Sequence, residues 1–379
     1  MKFLFLTNQA SYHQMHFARA MAAELGADNV RIVFQKPTSA ARAEMGWKDD
    51  YQEEYILRFW QQASQVHQWI EHADVVIQGR FPIKHIKPRI KAGKLTFACQ
   101  ERLWKKRPTL GRKLSRLGHF YKNYVSVNKP NYHFLAIGQY AAKDLNELGF
   151  FKDRSWQYGY FIDAPDYRSR APSNTLKLLW CARFSHVKQP HIALDIVEGL
   201  KQAGFDVELT MVGDGDLRPE IERHIHRRSL ANQVRLVGWQ TQDQVRERMA
   251  QADLFLMTSH HGEGWGLVVN EALSFGAGVI ANSQLGSAAC LIEHGVSGLL
   301  YEDGALAVLI EELSTLSLSD IRALGRNANR HMAQHWSSAV AAKRTIALSL
   351  ALLEGERHKN RESAAESLFD SGPGKYIAN

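Results

Sequence analysis

Short apolar runs alternate with longer amphipathic stretches along most of the chain, and the alternation stops once before starting again. The first series of β-rich runs is Lys2–Thr7 (KFLFLT), Val30–Phe34, Val75–Gln78, Leu95–Ala98 and Phe134–Gly138. The second is Leu176–Ala182 (LKLLWCA), Val207–Val212, Val234–Gly238, Leu254–Thr258 and Val279–Asn282, with Gly298–Tyr301 as a short sixth. Helical spacing fills the gaps, at Met15–Leu25, Pro190–Ala203, Leu217–Arg228, Gln242–Met249 and Leu267–Phe275. Strands that alternate with helices build parallel, doubly wound sheets. The break falls at Trp156–Arg170 (WQYGYFIDAPDYRSR), where Pro165 and then Pro172 punctuate a linker. The pattern therefore predicts an α/β chain of two Rossmann-like lobes, residues 1–165 and 166–336. A helix over Ser337–Glu354 and a polar, largely unordered tail, 355–379, follow.

Two lobes suit a length of 379 residues, and 45% hydrophobic with 23% charged residues is ordinary for globular cores. The three cysteines, Cys99, Cys181 and Cys290, form no CxxC pair. This argues against a disulfide scaffold or a cysteine-rich zinc module and suits a reducing cytosol. No apolar run approaches the roughly 18 residues that cross a bilayer, and the opening MKFLFLTNQ is too short for a signal-peptide core. A cytoplasmic protein is expected.

The segment richest in chemistry is Ser259–Gly278, SHHGEGWGLVVNEALSFGAG. A strand ends before it, a glycine-bearing turn follows (Gly262, Gly264, Gly266), and a helix opens at about Leu267. Glycine lets backbone approach a ligand closely, and a helix start offers unpaired N–H groups to an anion. Glu263 and Glu271 lie eight positions apart, on the turn and the helix, an arrangement that suits one carboxylate accepting hydrogen bonds from hydroxyls while amide donors hold a phosphate. A plain strand–turn–helix with two solvated glutamates is the alternative. The run Cys181–Lys188 (CARFSHVK) places Arg183 and Lys188 after the first strand of the second lobe, where ligands bind in open α/β sheets. A fork-shaped guanidinium and a point-charge ammonium suit a diphosphate, though a solvated surface pair is also possible.

These pieces together resemble the donor-binding domain of glycosyltransferase family 4, retaining enzymes of the GT-B fold. CARFSHVKQP, MVGDGDLRPEIE, VRLVGW, the run from ADLFLMTSHHGEGWGLVVNEALSFGAGVIAN and HGVSGLLYEDG come in the family's order, and Glu263-x7-Glu271 matches its signature pair. The resemblance implies two lobes facing a central cleft. It implies that Arg183 and Lys188 bind the diphosphate of a nucleotide sugar (UDP- or GDP-linked) and that Glu271 binds its ribose. Glu263 would meet hydroxyls of the transferred sugar. Backbone amides of Gly264, Trp265, Gly266 and Leu267 would hold sugar or phosphate, and Gly238 and Trp239 would lie by the base. It further implies that the first lobe binds the acceptor, that the last helix packs back on that lobe, and that no metal or other cofactor is needed.

The N-terminal half departs from the family pattern. The first loop, Asn8–His16, lacks glycine, and Gln100 or Glu101 stands where a histidine is expected. His13, His16, Gln100 and Glu101 are therefore the acceptor-side candidates, with satisfied surface histidines as the alternative for the first two. Between Arg80 and Lys129 lie fifteen lysines and arginines and one acid, Glu101. Arg102, Lys105, Lys106, Arg107, Arg112, Lys113 and Arg116, interleaved with Leu103, Trp104 and Tyr121, read as a patch for an anionic inner-membrane surface. A solvated basic face is the alternative, and no nucleic-acid motif accompanies the charge. Asp214-Gly215-Asp216 reads as a turn rather than a metal site, and Gly213-x-Gly215 lacks the third glycine of a dinucleotide fingerprint. The expected activity is retaining, metal-independent transfer to a glycan or lipid-linked acceptor in surface polysaccharide synthesis. A nucleotide-sugar epimerase or hydrolase, and a non-enzymatic binding scaffold, are the alternatives.

Overall fold

The structure is a computed structural model that describes residues 1–44, 47, 49–105, 109, 111, 115, 117–171, 173–358 and 369–377. It divides into two units, Met1–Ile162 with His335–Asn379, and Asp163–Gln334.

The first unit is built on seven parallel strands: β1 (Phe3–Thr7), β2 (Val30–Phe34), β3 (Ile56–Arg58), β4 (Val75–Gln78), β5 (Thr96–Glu101), β6 (Tyr132–Ile137) and β7 (Ser155–Tyr158), in the order β3-β2-β1-β4-β5-β6-β7. Leu4, Leu6, Val33 and Val76 are completely buried, as both faces of a helix-covered parallel sheet require. Two of these strands were not expected. β3 is a three-residue edge strand, too short for periodicity to reveal. β7 lies inside the segment read as linker: its SWQY carries two aromatics, which bury Trp156 and Tyr158.

Helix Ser338–His358 returns to this unit and packs against helix Tyr12–Leu25. The Tyr158 hydroxyl meets Thr345 Oγ1 at 3.1 Å, and Phe161 stacks on Trp336. Part of the tail expected to be unordered is paired. Over 369–377, Gln157 N–H donates to Lys375 O at 2.7 Å and Tyr376 pairs with Trp156, adding a short antiparallel bridge to β7.

Arg89, on helix Ile83–Lys91, is buried and donates to the carbonyls of Ile70, Ala73, Asp74 and Leu95 at 2.6–3.0 Å, and to Thr96 Oγ1. Burial pulls its pKa down to about 10, so it stays charged at neutral pH. Arg89 is thus a structural cation that closes carbonyls from three parts of the chain.

The second unit carries six parallel strands: β8 (Leu176–Cys181), β9 (Val207–Val212), β10 (Val234–Leu236), β11 (Leu254–Met257), β12 (Gly278–Asn282) and β13 (Gly298–Tyr301), ordered β10-β9-β8-β11-β12-β13. Its core joins Leu178, Trp180 and Leu209 of the strands to Ala193, Ile196 and Val197 of helix Pro190–Gln202. In both sheets the strand order reverses beside the first strand, between β1 and β4 and between β8 and β11. Ligands of doubly wound sheets bind at the carboxyl ends of the strands at that point.

Candidate active site

In the second unit the predicted residues converge on the reversal point. β8 ends at Cys181, and the loop after it carries Arg183, exposed and without an acidic partner among the described residues. One turn on, Lys188 forms an ion pair with Glu263, which arrives from the loop after β11. Thr258 ties the two loops together: its hydroxyl donates to Lys188 O at 2.6 Å and accepts from buried Trp180 Nε1 at 2.8 Å. Both charged side chains are about three-quarters buried, with 24% and 21% of each exposed, so the pair holds the ammonium in place instead of leaving it to wander in solvent.

The glycine-bearing turn is held from several sides. Gly262 N–H donates to His260 Nδ1 at 2.9 Å, and Glu263 N–H to His260 O at 3.0 Å. Gly266 has φ +83° and caps helix Leu267–Ser274, and a Cβ there would meet Met257 Cε at 2.8 Å. Only glycine adopts that left-handed conformation at no steric cost. Gly286 lies against the same turn, where a Cβ would stand 2.1 Å from Gly264 O. The Trp265 side chain does not face a ligand. It is fully buried and donates from Nε1 to Asn270 Oδ1 at 2.6 Å, anchoring the turn while its backbone remains at the helix start. Glu271, on that helix, has 14% of its side chain exposed and lies 3.7 Å from Arg246. Burial, with the Glu271 carboxylate nearby and the Lys188 cation opposing, pushes the Cys181 thiol up to about 12. The two charges therefore bracket the end of β8.

The loop after β9 completes this end of the sheet. Gly213 has φ +121° and passes so near β8 that a Cβ would lie 2.0 Å from Ala182 O. Asp214 accepts from Gly215 N–H at 2.7 Å and from Arg218 at 3.0 Å, so its carboxylate is committed to the turn. Gly238 has φ +67° and accepts from Gly213 N–H, and Trp239 beside it is 62% exposed.

The first unit holds a cavity of 830 Å³, within the roughly 300–1,000 Å³ of small-molecule sites. His13, Gln100 and Glu101 all line it, whereas His16, on the same helix, is not among the described lining residues and packs beside Tyr12. His13 is buried, its ring 4.5 Å from that of Tyr160, and its Nε2 is 3.3 Å from Ser11 Oγ. Its Nδ1 has no partner among the described residues. Glu101 accepts from the Tyr160 hydroxyl at 2.9 Å and pairs with Lys105 at 3.2 Å, and Gln100 donates to the Tyr124 hydroxyl at 2.7 Å. Arg42, Trp47, Arg80 and Tyr160 line the cavity and were not anticipated. Tyr160 was hidden in the segment read as linker, and Arg42 and Trp47 carry no spacing signal.

Burial, reinforced by Arg42 and His16, lowers the His13 pKa to about 3. An unfolded histidine titrates near 6.5, so the unfolded chain takes a proton that the folded one refuses. The stability His13 confers is complete above about pH 6.5 and drains away as pH falls toward 3. Roughly 2–3 kcal/mol is lost by about pH 4.5. Expected are a His13 ring resonance that stays neutral through about pH 5, and a flatter pH profile of Tm in His13→Asn. A His13 titration near 6.5 by NMR would refute the burial account.

The basic segment is not one surface. Arg102 is turned inward, 3.5 Å from Asp144 and 5.0 Å from the Tyr140 ring, with 15% of its side chain exposed, which corrects its placement in a membrane patch. Lys105 is exposed but paired with Glu101. Lys106, Arg107, Arg112, Lys113 and Arg116 lie outside the described residues. No helix among the described residues is long and apolar enough to cross a membrane.

Residues 166–331 match the family described as glycosyl transferases group 1. The amylovoran biosynthesis glycosyltransferase AmsK of Erwinia amylovora is 34% identical over 147 residues, 37% of this chain and 36% of that protein. The putative colanic acid biosynthesis glycosyltransferase WcaL of Escherichia coli K12 is 24% identical over 212 residues, 54% of this chain and 52% of that one. The chain thus spans about a third to a half of the length of these two relatives. Among solved structures, Anabaena HepE in complex with UDP and glucose aligns with TM-score 0.63 and 18% identity, over 93% of this chain and 99% of its own. The lipopolysaccharide outer core galactosyltransferase WaaB aligns with TM-score 0.66 and 16% identity, over 92% and 99%. These likenesses show the fold, two parallel-sheet Rossmann-like units of GT-B type. Residues 166–331, which match the glycosyl transferases group 1 model, make up nearly all of the second unit.

Proposed function

We propose that the chain is a retaining, metal-independent glycosyltransferase that moves a hexosyl group from a UDP- or GDP-sugar to a glycan or lipid-linked acceptor of surface polysaccharide synthesis. The observation that carries this reading is the meeting of Arg183, Lys188 and the start of helix Leu267–Ser274 at the reversal point of the second sheet. Fixed positive charge and free N–H groups at that point suit the diphosphate, whose negative charge grows as the sugar leaves. Glu271, one turn into the helix, is placed for the ribose. Glu263, already holding Lys188, is placed for hydroxyls of the transferred sugar, and exposed Trp239 offers a face to the base.

The acceptor hydroxyl attacks the anomeric carbon on the face from which the diphosphate departs. The new C–O bond forms as the C–O bond to phosphate breaks, and the acceptor proton passes to a departing phosphate oxygen. No protein carboxylate nucleophile is needed, which fits a Glu263 engaged by Lys188. The acceptor is assigned to the first unit, whose cavity joins neutral His13 to the Glu101–Tyr160 pair. A location at the inner face of the plasma membrane belongs to the same reading, supported by exposed Tyr121 beside Lys122.

Anomeric NMR of the product tests the reading. With UDP- or GDP-hexose, a suitable acceptor and EDTA, the linkage should keep the donor's configuration at undiminished rate. An inverted product, or a rate abolished by EDTA, would contradict it, and donor turnover without acceptor at the full rate would favour a hydrolase.

A further inference from the structure

The cavity of the first unit is charged in a way that a neutral sugar does not require. Four cations line it, Arg42, Arg80, Arg102 and Lys105, against one acid, Glu101, among the described lining residues. Two are already neutralised, Arg102 by Asp144 at 3.5 Å and Lys105 by Glu101 at 3.2 Å. Arg42 and Arg80 have no carboxylate partner among the described residues. Arg42 stands 4.7 Å from the Trp47 ring, so its planar fork is held against an indole with donor edges left over. Arg42 is half-buried and Arg80 exposed at the cavity lining, and two guanidinia converging on one concave site attract an anion more strongly than one alone in open solvent.

Uncharged polar chemistry lies beside them. His13 Nδ1 and Gln14 Oε1 are buried without partners among the described residues, and both residues line the cavity. Buried polar atoms are normally satisfied, so two orphans in one cavity point to a ligand that supplies hydroxyl partners. Trp47 and Tyr160 add aromatic faces for the apolar face of a sugar ring.

We infer that this cavity takes an acidic acceptor sugar, its carboxylate or phosphate bound by Arg42 and Arg80 and its hydroxyls by His13 and Gln14. The inference rests on assigning the acceptor to the first unit. It makes Arg42 and Arg80 the residues that set acceptor specificity, reading charge where the second unit reads the donor.

The test is titration of the full chain, by ligand-observed NMR, with methyl glucuronide, glucose 6-phosphate and the neutral methyl glucoside. At least one anion should bind about tenfold tighter than the glucoside, the size of a charge-assisted hydrogen bond. The one that does identifies the source, an acidic glycan for the carboxylate or a phosphorylated acceptor for the phosphate. The Arg42→Gln, Arg80→Gln double variant should lose that preference and keep its affinity for the glucoside. The Arg42→Lys, Arg80→Lys pair should retain part of it, which separates lost charge from lost fold. Equal binding of all three sugars would overturn the inference, as would a Gln pair with wild-type Tm that still prefers the anion. A UDP thermal shift on the same samples reads the second unit separately. Its absence would count against the donor assignment while the sugar titration still decided the cavity.

Discussion

On the proposed donor site, Lys188→Ala and Glu271→Ala are each expected to lower sugar transfer by about 10²–10³-fold while the chain keeps its wild-type Tm, because each would remove a group that the proposal aims at the donor. Lys188 should act mainly on kcat. Its ammonium is fixed by Glu263 and by the Thr258 bond to its carbonyl, and in the proposed mechanism it would face the charge that grows as the diphosphate leaves. Glu271 should act more on KM, since a ribose hydroxyl is bound alike before and during transfer. Glu263→Gln separates the two roles of that carboxylate. It keeps the shape but releases Lys188, so a fall in kcat approaching that of Lys188→Ala would show that the ion pair positions the cation. Steady-state kinetics with a UDP- or GDP-sugar check all three. Near wild-type transfer by Lys188→Ala and Glu271→Ala would remove the site from the second unit.

Arg89→Met is expected to be the most damaging substitution for stability. It leaves the carbonyls of Ile70, Ala73, Asp74 and Leu95 without their donor in a buried place. Unsatisfied buried acceptors cost about 1–3 kcal/mol each, and with partial relaxation a total of about 4 kcal/mol is expected. For a unit of this size that lowers Tm by roughly 10 °C. Arg89→Lys should recover little, because one ammonium cannot reach the positions of a planar fork. Calorimetry should show the loss in the first unit's transition, with UDP binding by the second unit intact. A drop within about 1 kcal/mol would mean that water takes over the carbonyls.

The second unit was more legible in sequence than the first for a physical reason. Its strands are continuous apolar runs such as LFLM and GVIAN, and the loops after β11 and β9 need glycine where φ is positive or backbone passes close by, as at Gly266 and Gly213. Those needs leave residues in fixed positions along the chain. The first unit places its chemistry differently. His13 and Glu101 meet Tyr160 and Arg42 only through sheet order, and no spacing announces such a meeting. β7 was missed because a short run of Ser, Trp, Gln and Tyr leading toward Pro165 looks like the start of a linker, although Tyr376 near the end of the chain pairs with it. Charge was the least reliable guide. Arg89 and Arg102 look like surface cations in a basic run, yet one closes buried carbonyls and the other pairs with Asp144. Composition records a charge but not its partner. Trp265 is similar, since a tryptophan in the glycine-bearing turn proves to be a buried anchor that shapes it.

The loops after β8 and β11 are proposed to form a nucleotide-diphosphate site. Isothermal titration of the full chain with UDP and GDP, in EDTA, measures it directly, with Lys188→Ala alongside. One nucleotide should bind without metal, and Lys188→Ala should weaken it by about tenfold or more, the loss of a charge-assisted contact. Binding of neither nucleotide, or equal binding by the wild type and Lys188→Ala, would contradict the claim.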